Sequence, residues 1–228
     1  MKMTSTAGRY IALLSVLWLT ACGGESGSDT AALANDTLLN PNHPAANQYQ
    51  AQCSSCHGAN GLGNADLKAP ALTSLDNSYT QRQLRHFRDG VRGAHTDDSA
   101  GMTMAAASAG LADADVAALA DYVDTLPNRR PPTTLDGDLA QGKDYHLNLC
   151  SACHGSNALG NEALEAPALA GLNDWYVVAQ YEKYRAKHRG THPEDRWGIQ
   201  MVRLAPAIED PDILESIASY LASLPPEA

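Results

Sequence analysis

Apolar residues in this chain recur at helical spacing. Leu84, Phe87 and Val91 share a face of the segment from Tyr79 to Val91, and Val177, Tyr181 and Tyr184 do the same between Asp174 and His188, because residues three or four apart are neighbours on a helix. Two later segments open on acidic residues suited to a helix N-terminus, Asp113 and Asp210. Along one stripe they carry Val116, Leu119 and Val123, and Ile213, Ile217 and Leu221. Pro127 and Pro225 stop them. Asp138 is a good N-cap for a further helix from Leu139. No run alternates with the period of a strand, so the pattern predicts an all-α chain with long loops. One apolar run differs: Tyr10 to Leu19 is continuous and follows Lys2 and Arg9. It is shorter than the roughly 20 residues a bilayer span needs and reads as an export signal.

The second half of the chain repeats the first. His57-Gly-Ala-Asn-Gly-Leu-Gly-Asn-Ala-Asp-Leu-Lys-Ala-Pro-Ala-Leu72 matches His154-Gly-Ser-Asn-Ala-Leu-Gly-Asn-Glu-Ala-Leu-Glu-Ala-Pro-Ala-Leu169 at an offset of 97. The offset persists at Tyr79 and Tyr176, Phe87 and Tyr184, Arg88 and Arg185, Arg92 and Arg189, His95 and His192, and Met104 and Met201. A constant offset over that length means a duplicated domain. The divisions it predicts are a signal at 1–21, a small, polar tether at 22–44, a first domain at 45–126, a proline-rich linker at 127–136 and a second domain at 137–226.

Each domain contains the same pentapeptide, Cys53-Ser54-Ser55-Cys56-His57 and Cys150-Ser151-Ala152-Cys153-His154. C-x-x-C-H is the attachment signature of a c-type haem. Two thiols one helical turn apart can each add to a porphyrin vinyl group, and the adjacent His then sits under the iron. A C-x-x-C redox pair or a four-Cys zinc site would use the same thiols. A zinc ribbon, however, brings its pairs within about 15–20 residues of each other, and these lie 97 apart.

A haem held by one His is open on its sixth side, whereas a Met there closes the site and raises the potential. Met201 is the only methionine of the second repeat, 47 residues after His154, and Met104 stands at the same distance from His57. Met102 falls instead on Ile199. Met104 and Met201 are therefore the expected sixth ligands, with core filler as the other use of such a residue. His95 and His192, also in register, are the alternative, and a bis-His haem would have the lower potential. His43, His86, His146 and His188 have no histidine at the matching position and are expected to be solvated. Pro70 and Pro167 each lie 13 residues after their His, where a carbonyl could accept the free ring N–H and orient the ligand. Arg88 with Arg185, and Arg92 with Arg189, are candidates to neutralise haem propionates. Gly58, Gly63, Gly155 and Gly160 are expected to allow tight backbone beside the porphyrin.

Of the 228 residues, removal of 1–21 leaves 207 with a net charge of −12, fourteen basic against 26 acidic. That is enough for two small domains, each using its haem as part of its core. The acidity argues against nucleic acid as a partner and suits a basic patch on a redox protein. Cys22 is the fifth cysteine, left over once four hold haem. Leu19-Thr20-Ala21-Cys22 resembles the lipobox of bacterial lipoproteins, in which the Cys is lipidated. Gly23 after it resembles outer-membrane sorting rather than retention.

The two motifs, the Gly-x-Asn-x-x-Gly-Asn segment, Pro-Ala-Leu and the Met before the final helix resemble class I cytochrome c, and their tandem arrangement is similar to the dihaem cytochrome c4 family. The resemblance covers about residues 45–226. It implies two small helical domains about a pseudo-twofold axis, propionate edges facing each other, with Cys53, Cys56, His57 and Met104 holding one haem and Cys150, Cys153, His154 and Met201 the other. The lipoprotein-like N-terminus departs from the many soluble or loosely bound members. The expected function is an exported, lipid-anchored carrier of single electrons on the periplasmic side, between a membrane donor and an acceptor such as a terminal oxidase or reductase. The competing readings are a dihaem enzyme such as a peroxidase with one open haem, and a fixed electron-transfer subunit of a larger oxidoreductase complex.

Overall fold

A computed structural model of the chain describes residues 39–226; the signal, Cys22 and the tether up to residue 38 lie outside the described residues. The first repeat contains α1 (Ala46–Gln52), α2 (Ser54–His57), α3 (Asn77–Arg88), α4 (Ser99–Ser108) and α5 (Asp113–Asp124). The second contains α6 (Leu139–Tyr145), α7 (Ser151–His154), α8 (Asp174–Arg185), α9 (Arg196–Leu204) and α10 (Pro211–Ser223), with a π-helical turn at His146–Cys150 joining α6 to α7. The only extended pairings among the described residues are two isolated bridges, Asn64 with Ala69 and Asn161 with Ala166, again 97 apart.

Short polar side chains start these helices by satisfying otherwise unpaired N–H groups. Asp76 accepts from Tyr79 N, Asp138 from Ala140 N and Gln141 N, and Asp210 from Asp212 N. Asp113 is the first helical residue rather than a cap: the chain enters α5 at Ala112, whose N–H is bonded by Asp115. α3 and α8 end three residues earlier than their apolar spacing predicts. Gly90 (φ +73°) and Lys187 (φ +62°) adopt left-handed backbone there and turn the chain away.

In each half the terminal helices close over an apolar core. Tyr49 on α1 packs with Val116, Leu119, Tyr122 and Val123 of α5. Leu214, Ile217 and Leu221 of α10 pack with Tyr181 and Tyr184 of α8. α6 lies so close to α10 that a Cβ on Gly142 would collide with the Ser216 carbonyl. The linker is tied down, Thr134 N and Leu135 N bonding the buried Asp174 carboxylate and Gly137 N the Ser219 hydroxyl.

The two halves form one compact unit and meet through α3 and α8. Arg189 bonds Tyr79 and Gln83, while Arg92 bonds Tyr176 and Gln180. Each contact is thus repeated with the halves exchanged, which is the mark of a twofold relation. Ser74 Oγ donates to Gly171 O across the seam (3.0 Å), these two residues being each other's counterparts in the repeat.

Candidate functional site

Each C-x-x-C-H segment is a single helical turn ended by a glycine with positive φ, Gly58 (+76°) and Gly155 (+78°). The loop that follows returns so that Gly63 N bonds His57 O and Gly160 N bonds His154 O, both at 2.9 Å. A side chain at either glycine would strike the backbone at Pro70 or Pro167. That close approach sets the ligand geometry. His57 Nδ1 lies 2.8 Å from Pro70 O, and His154 Nδ1 2.9 Å from Pro167 O. A carbonyl only accepts, so Nδ1 carries the proton and Nε2 keeps its lone pair. Burial pushes both imidazoles' pKa down, against the raising effect of those carbonyls, and favours the neutral, ligating form.

His146 is not solvated as the sequence suggests but fully buried, its Nε2 3.0 Å from Gly155 O. Its counterpart is Tyr49, whose hydroxyl donates to Gly58 O at 2.8 Å. Different residue types therefore hold the same carbonyl behind each motif. His86 is also largely buried, with Nδ1 3.9 Å from Asp195; burial beside Arg82, Arg189 and Arg92 lowers its pKa against the pull of Asp195. Its counterpart Lys183 makes the matching contact to Asp98 at 2.6 Å. His43 and His188 are intermediate in exposure.

Two cavities open on these histidines. One of about 570 Å³ is lined by His57, Pro70, Leu84, Phe87 and Met104. The other, about 510 Å³, is lined by Cys150, Cys153, His154, Pro167, Tyr181 and Met201. Both fall in the range that encloses cofactors, about 300–1,000 Å³. Met102 turns outward, 46 % exposed. Cys53 sits against the apolar core of the first half, and burial together with the neighbouring thiol pushes Cys53 and Cys150 up to about 11. The four cysteines form no disulfide with one another, and among the described residues none of them joins a convergent cluster of metal-binding side chains. His95 and His192 line neither cavity.

The methionine helices are positioned by residues that sequence reasoning passed over. Asp98 and Asp195, each almost wholly buried, accept from Gly101 N and Gly198 N at 2.8 and 2.9 Å and start α4 and α9. A Cβ on either glycine would collide with its own capping carboxylate. The signal was available as Asp-x-x-Gly-x-x-Met in both repeats.

Tyr79, Gln83, Tyr176 and Gln180 line both cavities, so the hydrogen-bonded seam is a shared wall. Arg92 faces the first cavity and Arg189 the second. Both are buried, and the Nε–H of each has no partner. Arg88 and Arg185 do not share that position: Arg88 bonds Leu111 O and Asp113, and Arg185 bonds Ile208 O, which pins the turn before each final helix. Two thiols, an imidazole with Nε2 free, a thioether on the same cavity and a buried guanidinium with an unpaired N–H fit a haem with ionised propionates.

The family model for cytochrome c matches residues 44–127 and 139–225. The thiosulfate dehydrogenase electron acceptor of Stutzerimonas stutzeri is 30% identical over 189 residues, 78% of this chain and 82% of its own. Cytochrome c4 of Pseudomonas aeruginosa is 25% identical over 225 residues, 94% of this chain and 97% of its own. The structure of Acidithiobacillus ferrooxidans cytochrome c4 superposes with a TM-score of 0.60 at 26% identity, covering 76% of this chain and 99% of that one.

Proposed function

The chain belongs to the cytochrome c family, with two of its domains in tandem, and on that premise we propose how its residues serve an electron carrier. It is a dihaem cytochrome c like cytochrome c4, carrying two haem c groups and exchanging electrons with redox proteins. Haem c supplies a one-electron iron couple, which a Met ligand places at higher potential than a second His would.

In this reading Cys53 and Cys56, with Cys150 and Cys153, form the thioether links. His57 and His154 offer Nε2 to iron, held in register by Pro70 and Pro167. Met104 and Met201, on the same cavities as those histidines, would offer sulfur as the second ligand from helices started by Asp98 and Asp195. Arg92 and Arg189, each with an unpaired Nε–H on its cavity, would hold the propionates and balance their charge. Apolar lining by Leu84 and Phe87 in one cavity, and by Leu169, Leu204 and Ile217 in the other, excludes water. Two rigid ligands per iron leave little to rearrange when oxidation state changes.

The observation that carries this reading is the placement of one imidazole and one thioether on each cavity. Its test is the absorption spectrum of the reduced holoprotein with and without carbon monoxide, which binds ferrous haem only where the sixth position is open. No spectral change is expected. A change at either haem would overturn His/Met ligation there and favour peroxide or gas chemistry.

We further propose that the chain is exported and held on the periplasmic side through lipidated Cys22, residues 22–44 serving as the tether. No described helix is long and apolar enough to cross a membrane. Tethering would keep the domains at high local concentration near membrane donors and an oxidase or reductase acceptor. The resemblance to the electron acceptor of a thiosulfate dehydrogenase adds such a dehydrogenase to the candidate donors.

A further inference from the structure

We infer that the seam between the halves holds a metal site in addition to the haems: His95 and Asp97 of the first half and His188 of the second bind one divalent transition-metal ion of the Zn²⁺ type, at the margin of the first cavity, which Asp97 also lines. The two rings stack with centroids 4.1 Å apart and planes 18° apart. Asp97 Oδ2 lies 3.9 Å from His95 Nδ1 and 3.8 Å from His188 Nε2. One donor atom from each residue lies within 4.8 Å of the other two, and among the described residues this is the only such group of three. Around a tetrahedral zinc with bonds of about 2.0–2.1 Å, donor atoms stand roughly 3.3 Å apart. The two distances to the carboxylate therefore need to contract by about half an ångström, and the two imidazole nitrogens, within 4.8 Å of each other, by up to about 1.5 Å.

The side chains can make that move. His95 is 40 %, Asp97 71 % and His188 25 % exposed. Stacked rings direct their lone pairs in parallel planes, so one ring must turn towards the carboxylate as the ion enters, and neither is packed on all sides. Two imidazoles and a carboxylate, with water in the remaining positions, suit zinc, copper or nickel better than the hard, all-oxygen cations.

The duplication supplies an internal control. His192 and Glu194 repeat His95 and Asp97 in the second half, but His188 corresponds to Val91. The two loops share a conformation: His95 Nδ1 accepts from Asp97 N at 3.2 Å, and His192 Nδ1 from Glu194 N at 3.3 Å, so ligation through His95 Nδ1 exchanges that backbone contact for the ion as the ring turns. The difference between them is the third ligand, supplied across the seam on one side only. An ion bound there takes ligands from both halves and clips them together.

The test is equilibrium dialysis of the tag-free holoprotein against ZnCl₂, with bound zinc measured by mass spectrometry. One zinc per chain is expected. His188→Val should weaken binding at least tenfold, the range seen for disturbed metal sites, and His192→Ala should leave it unchanged. Val91→His should add a second site, a gain that misfolding cannot imitate. The absence of saturable binding, or binding that survives both His95→Ala and His188→Val, overturns the proposal.

Discussion

Replacing Lys183 with Met tests whether the seam holds the first methionine helix in place. Lys183 Nζ lies 2.6 Å from Asp98 Oδ1, with side-chain exposures of 19 % and 1 %. Burial alone would raise the Asp98 pKa, but the hydrogen bonds from Lys183 and Gly101 and the charges of Lys183 and Arg92 outweigh it, holding the carboxyl below its usual range. Asp98 Oδ2 has no hydrogen-bond partner, so without the ammonium one backbone N–H is left to support a buried charge. Removing one partner of a buried pair costs about 3–5 kcal/mol, and the partial exposure of Lys183 places this case near 3. For a chain of this size about 1 kcal/mol moves the midpoint by roughly 2–4 °C, so Lys183→Met should lower the thermal midpoint by about 6–12 °C, read by circular dichroism of the holoprotein. Adding Asp98→Asn keeps an acceptor for Gly101 N and should restore most of the loss. Because the folded pKa of Asp98 lies below its unfolded value of about 3.9, the pair's stabilisation is present above that pH and lost as pH falls through the folded value. The gap between wild type and Lys183→Met should accordingly close in acid. A drop under about 2 °C at neutral pH, or a double variant no better than the single, would refute the reasoning.

His146→Leu leaves the Gly155 carbonyl without its ring partner and should cost about 1–3 kcal/mol in denaturant unfolding. His146→Tyr should recover part of that, as Tyr49 does in the first half; equal loss in both variants would remove the proposed equivalence. Cys22→Ser should move the exported protein from the membrane to the soluble periplasmic fraction, and persistent membrane association would exclude Cys22 as the anchor.

The period of 97 residues made the fold readable, because features that recur at fixed spacing identify themselves without tertiary knowledge. It paired His57 with His154 and Met104 with Met201, and it separated Met104 from the outward-facing Met102. It could not tell which residues face each other across the seam. Lys183 and Asp98 lie 85 positions apart, and nothing local in either marks the contact. Periodicity also fails where the two halves solve one problem with different chemistry: Tyr49 and His146 share a role and no residue type, so a search for matched histidines placed His146 in solvent. The early ends of α3 and α8 were hidden for another reason. Val91 continues the apolar spacing and His188 stands at the matching helical interval after Tyr184, but Gly90 and Lys187 have already reversed the backbone. Arg88 and Arg92 look alike in sequence, and only the fold separates the one that braces a surface turn from the one that faces the first cavity.

The exchanged contacts of the seam, Tyr79 with Arg189 and Tyr176 with Arg92, have the form that two identical subunits would make with each other. Joining such subunits in one chain turns an encounter governed by concentration into one governed by a short connection. Pairing then no longer depends on how much protein the cell exports. It also releases the copies from identity, because a substitution on one side of a joined pair is not imposed on the other. Lysine opposite histidine at 183 and 86, and histidine opposite valine at 188 and 91, are differences that a true homodimer could not hold, and through them one surface of common origin comes to treat its two sides unequally.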